Sequence, residues 1–105
     1  MESIVAVTGF TRAKPEHRDK IKEILLSFAI RAREEEGCLQ YHVHRDIEDP
    51  NLIVFYEVWR SMKDMERHLT QPYLTSFMED RMRYLEKDFE VHVLGMESPY
   101  QSLPT

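Results

Sequence analysis

Glu36-Gly37-Cys38-Leu39-Gln40-Tyr41-His42-Val43-His44-Arg45-Asp46 opens the stretch, ending at Pro72, that decides the fold. Gly37 marks the end of a helix, because glycine accepts the left-handed conformation found there. Cys38–Asp46 then alternates. Leu39, Tyr41 and Val43 share one face and Gln40, His42 and His44 the other, which predicts a strand. Glu48-Asp49-Pro50-Asn51 has the residues of a turn. Leu52–Arg60 follows as a further strand, so the two form a hairpin. Ser61-Met62-Lys63-Asp64 resembles a capping box with Asp in place of Glu, and opens a helix through Leu69. Pro72 breaks or kinks it.

Working outward, Ser3–Phe10 is short, apolar and β-branched, and reads as a buried strand. Pro15 suits the first turn of a helix. Ile21, Ile24, Leu25, Phe28, Ala29 and Ala32 then recur at the spacing of a one-faced amphipathic helix, with Arg31, Arg33 and Glu34 opposite. Beyond Pro72, the residues Leu74, Phe77, Met78, Met82 and Leu85 continue a helical stripe, and Asp88–Leu94 is a fourth strand. Residues 1–95 thus form one domain, and 96–105 are a tail without a period. The order β-α-β-β-α-β is the ferredoxin-like α+β arrangement, a four-stranded antiparallel sheet with its helices on one face. The other face is left bare, and Val5, Val7, Val54, Tyr56 and Val58 are expected to sit on it in part. An apolar sheet face of this kind predicts a homodimer that packs sheet against sheet about a two-fold axis.

A chain of 105 residues makes one small domain with a thin core. The net charge of −5 and the lack of a basic stripe argue against nucleic acid or an anionic membrane surface. The apolar runs are far too short to span a bilayer. The start of the chain has neither the basic flank nor the cleavage pattern of a leader. With the single Cys38, these features predict a cytoplasmic protein.

The chemistry-bearing residues cluster in the same stretch. Trp59 shares a strand face with Phe55 and Glu57, and either walls an aromatic pocket or fills the core. His68 lies beside Met65 and Leu69 on the apolar side of its helix. It is either a hydrogen-bonded core imidazole or a pocket base that titrates near neutral pH. Glu57 interrupts an apolar strand, so it must be paired, protonated or at a sheet end; pairing with His68 would orient the ring, and a structural ion pair with an arginine is the alternative. Tyr73 and Phe77 follow Pro72 and are placed to close the pocket or to pack the core. His42, His44 and His92 gather no fixed carboxylate, so no metal site is expected. Cys38 reads as a small buried hydrophobe, and Glu34-Glu35-Glu36 as a solvated helix end.

Glu36-Gly37-Cys38-Leu39-x-Tyr41, Asp46 with Asp49-Pro50, Tyr56-Glu57-x-Trp59-x-Ser61 and His68-Leu69-x-x-Pro72 together resemble the antibiotic biosynthesis monooxygenase domain. The resemblance covers roughly Ile4 to Leu94. It implies a dimeric α/β barrel, and a His at the position of His68 facing a ligand cavity. It also implies an oxygenase that needs no cofactor, with a small electron-rich aromatic such as a quinol or anthrone and O2 as its reactants. The residues assigned on this basis are His68 and Glu57 for catalysis, with Trp59, Phe55, Tyr73 and Phe77 for substrate binding. The alternatives are an isomerase of a small carbonyl metabolite and a non-enzymatic dimer that binds an apolar ligand. The haem-degrading branch of the family uses an Asn, a Trp and a His where this chain has Thr8, His68 and Met78, so haem chemistry is not expected.

Overall fold

The structure, a computed structural model, describes residues 3–101. Four strands form one antiparallel sheet: β1 (Val5–Arg12), β2 (Cys38–Arg45), β3 (Leu52–Trp59) and β4 (Glu90–Gly95). Their order is β2-β3-β1-β4. Three helices, α1 (Arg18–Ala32), α2 (Met62–His68) and α3 (Pro72–Glu79), complete the ferredoxin-like fold. A short 3-10 turn at Pro15–His17 leads into α1, with the proline where its missing N–H does no harm. The expected tail begins in residues 96–101, which carry no helix or strand, and its last four residues lie outside the described residues.

The helices cover the face of the sheet that carries Val5, Val7, Gly9 and Thr11 of β1 and Ile53, Phe55, Glu57 and Trp59 of β3. On that face Ile21, Leu25, Phe28, Ala29 and Ala32 of α1 are buried, as the helical period predicts. Val5 and Val7 therefore belong to the core and not to the open face, which corrects the expectation from the sequence. The reason lies in Gly9: a Cβ there would stand 1.9 Å from the Phe55 ring, so Phe55 can lie across β1 only in this phase. Val54 and Tyr56 do take the open side, opposite Phe10 and Thr8, whereas Val58, opposite Ala6 on the same side, is fully buried.

Two other readings are corrected. Leu39 does not share a face with Tyr41 and Val43. It is the extra residue of a bulge between Cys38, opposite Trp59, and Gln40, opposite Val58, and it is exposed. The helical stripe does not run from Leu74 to Leu85. α3 ends at Glu79, a 3-10 turn spans Arg81–Arg83, and Leu85 is buried beside Ala13 in an isolated bridge while Met82 is exposed. The chain has turned back toward the sheet, so the residues keep the spacing without the helix.

Gly37 closes the turn between α1 and β2 with φ of 86°. It stands five residues past the end of α1, and its backbone lies against the Asp64 side chain. Ser61 caps α2: its hydroxyl accepts the Asp64 N–H at 3.2 Å and donates to the Asp64 carboxylate at 2.8 Å. Arg60 and Arg67 bind the same carboxylate, and the hydrogen bonds from Arg60 hold it below the usual aspartate range. This cluster anchors the start of α2 to the turn before β2. It thereby fixes where His68, at the other end of α2, enters the core.

Candidate active site

A cavity of about 290 Å³ lies between the sheet and the helices. Leu25 and Phe28 of α1, Met65 of α2 and Leu74, Phe77 and Met78 of α3 form one wall. Val7, Tyr41 and Phe55 from the first three strands form the floor, and Phe89, Val91 and Val93 the side at β4. Glu57 and His68 also line it, and among the described residues no lysine or arginine does. A cavity of about 150 Å³ with apolar walls holds one benzene ring, so this one, about twice as large, has room for two or three fused rings.

Glu57 projects from the centre of β3 and is 4% exposed. Its carboxylate accepts the indole N–H of Trp59 at 2.8 Å and faces Nε2 of His68 at 3.7 Å. Burial pushes the Glu57 carboxyl above the ordinary range, and the His68 charge and the Trp59 N–H only partly offset that. His68, 2% exposed, packs its ring 4.7 Å from that of Trp59. Its other nitrogen, Nδ1, lies 3.0 Å from the Glu35 carboxylate. The Tyr73 hydroxyl donates to the same carboxylate oxygen and stands 3.3 Å from Nδ1. Burial, then the Glu35 carboxylate, raise the pKa of the Tyr73 hydroxyl, so it remains a donor. Tyr41 is raised likewise by burial.

Of the six residues selected from the sequence, the structure sets Glu57, His68, Phe55 and Phe77 on the cavity. Trp59 and Tyr73 stand one layer behind, each hydrogen-bonded to a carboxylate that His68 also approaches. Glu35 was missed. It belongs to a run of three glutamates in which Glu36 pairs with Arg60 and Arg67 at the surface, while Glu35 turns inward. Nothing in the sequence distinguishes the three, because the turn between α1 and Gly37 sets their directions. Cys38 is a half-buried free thiol pushed up to about 11 by burial, which suits a packing role. Among the described residues no three His, Cys, Asp or Glu side chains are grouped to hold a metal ion.

A buried carboxyl with a raised pKa thus stands beside an imidazole at the wall of an apolar cavity, an arrangement chemically able to exchange a proton with a molecule held there. Comparison with known proteins carries the identification further. The chain belongs to the antibiotic biosynthesis monooxygenase family, whose model matches residues 4–80. An uncharacterised Synechocystis protein, sll1783, is 28% identical over 89 residues, which are 85% of this chain and 60% of that protein. The chain thus spans about three-fifths of the length of that relative. The structure of PA3566 from Pseudomonas aeruginosa superposes with a TM-score of 0.85 at 26% identity, covering 93% of this chain and 98% of the other. Rv0793 from Mycobacterium tuberculosis gives 0.88 at 22% identity, over 94% and 100%. A Deinococcus radiodurans protein described as a candidate antibiotic biosynthesis monooxygenase gives 0.83 at 24% identity, over 95% and 99%.

Proposed function

We propose that this protein is a cofactor-independent monooxygenase that oxidises a small, uncharged, electron-rich aromatic, a quinol or an anthrone, with O2. The observation that carries the reading is the apolar cavity of about 290 Å³ whose wall, among the described residues, holds the Glu57–His68 pair and no lysine or arginine. A phosphorylated or carboxylated substrate would find no lysine or arginine there to pair with. An anthrone or a hydroquinone needs only apolar walls and a proton acceptor.

The substrate ring lies against Phe55 and Phe77, and its acidic proton passes to the Glu57–His68 pair. The carbanion or phenolate that results is electron-rich enough to give one electron to O2. Superoxide and the carbon radical combine to a peroxide, which takes back the proton and loses water. For an anthrone, C–H2 becomes C=O. For a hydroquinone, a ring C–H becomes C–OH with oxidation to the quinone. In both, one oxygen atom enters the product and the other leaves as water. Binding the ring in a water-poor cavity positions it and protects the radical pair. The open sheet face, with Phe10, Val54, Tyr56 and Leu94, serves as a homodimer surface in this reading, and the free thiol of Cys38 fits a reducing cytoplasm.

The test is turnover of anthrone and naphthohydroquinone under ¹⁸O2, beside the same reaction under nitrogen. One labelled oxygen in the product, and none formed without O2, supports the reading. Isomerised or unlabelled product formed equally under nitrogen overturns it and assigns the site to proton transfer alone.

A further inference from the structure

We propose that Glu35 is a positioning residue for His68, setting its tautomer and completing a proton path from the cavity to the surface. The proposal rests on the acid–base role given above to the Glu57–His68 pair. Glu35 lies in the turn after α1, outside every element that lines the cavity, and its side chain is 16% exposed. One of its oxygens receives the Tyr73 hydroxyl and faces Nδ1 of His68 at 3.0 Å. A carboxylate offers only lone pairs, so Nδ1 must carry the proton that points at it. In the neutral ring that leaves Nε2 bare, and Nε2 is the atom that faces Glu57 at 3.7 Å.

The consequence is directional. The oxygen of Glu57 that approaches His68 already accepts the Trp59 N–H at 2.8 Å. A proton delivered to Glu57 from the cavity can therefore move to the bare Nε2. The imidazolium so formed lies between two carboxylates; its Nδ1 proton can leave through Glu35 to solvent and return the same way when the Nε2 proton goes back to the peroxide, which restores the Nδ1–H tautomer. With the other tautomer, the bare Nδ1 and the Glu35 carboxylate would face each other as two acceptors, and Nε2, already protonated, could take no proton from Glu57. The ionisable groups around the ring are Glu57 of β3, Glu35, Tyr73 of α3, and Tyr41 and Cys38 of β2. The Arg31 guanidinium lies 5.3 Å above the Tyr73 ring.

Imidazole ¹⁵N NMR reads this directly, with the His68 signals assigned by their loss in His68→Ala. The full chain near neutral pH should show His68 as the Nδ1–H tautomer. Glu35→Gln, which can donate as well as accept, should remove that preference, whereas Tyr73→Phe should leave it in place. In the oxygenase assay Glu35→Gln should lower kcat at least about tenfold with KM little changed, because a trapped wrong tautomer cannot take the proton. A wild-type His68 found as Nε2–H, or a tautomer unchanged in Glu35→Gln, overturns the proposal. The NMR arm needs no turnover, so a protein that oxidises no quinol would sink the oxygenase reading and leave the role of Glu35 to be decided by the spectra.

Discussion

Trp59→Phe isolates the electrostatics of the site from its packing. The substitution keeps most of a fully buried ring and deletes the one N–H that Glu57 accepts at 2.8 Å. Leaving a buried acceptor without its donor costs about 1–3 kcal/mol, toward the upper end when the acceptor is charged. The smaller ring adds a packing loss of about 1–2 kcal/mol at every pH. The two parts separate by their pH dependence. Burial raises the pKa of Glu57 in the folded protein above its unfolded value, so its contribution favours folding at low pH and is lost as pH rises through the folded pKa. Removing the Trp59 donor raises that pKa further and extends the loss to higher pH. Urea unfolding should therefore show Trp59→Phe to be more destabilising at about pH 8 than at about pH 5, by roughly 1–2 kcal/mol. In a Glu57→Gln background the cost of Trp59→Phe should be the same at both pH values. A pH-independent cost in the wild-type background would mean that Glu57 is not a buried carboxylate held by Trp59, and the reasoning about the site would fail.

Three further outcomes are expected. Gly37→Ala puts a Cβ 2.2 Å from Cγ of Asp64 at a φ of 86°, so it should lower stability by more than the about 1–2 kcal/mol of left-handed strain alone, read by urea midpoint. Gly9→Ala drives a methyl into the Phe55 ring and should cost about 1–3 kcal/mol; combined with Phe55→Ala the clash disappears, and additive costs in the double mutant would contradict the packing described. On the open face, burial first and then Arg33 and His44 lower the pKa of His42, so its contribution is present above the ordinary histidine value and is lost as pH falls through it. Urea unfolding should accordingly show stability falling between about pH 7 and about pH 5, less so in His42→Ala, and by sedimentation Tyr56→Arg should turn the proposed homodimer into monomer.

The hairpin and the helix after it were legible because their signals are local: alternation in β2, turn residues at Asp49-Pro50, a cap at Ser61. The phase of β1 was not. Val5-Ala6-Val7 is apolar on both sides, and only the contact of Gly9 with Phe55, 46 residues away, selects the face. The bulge at Leu39 was hidden for the same reason, since one extra residue leaves the alternation on either side intact. In the site, Glu57 stood out as a carboxylate in an apolar strand and His68 as an imidazole on an apolar helix face. Their pairing was one of two readings of Glu57, beside an ion pair with an arginine, and the two side chains stand 3.7 Å apart. Glu35 had no local mark, because its direction depends on a turn whose shape is fixed by Gly37 lying against Asp64.

The most direct test is the rate of O2 uptake by purified, metal-free protein with naphthohydroquinone or anthrone, measured for wild type, Glu57→Gln and His68→Ala in parallel. Uptake well above autoxidation, reduced about 10²–10⁴-fold in both variants, is the predicted result. Uptake that matches autoxidation in wild type, or that survives undiminished in both variants, would contradict a cofactor-independent oxygenase built on Glu57 and His68.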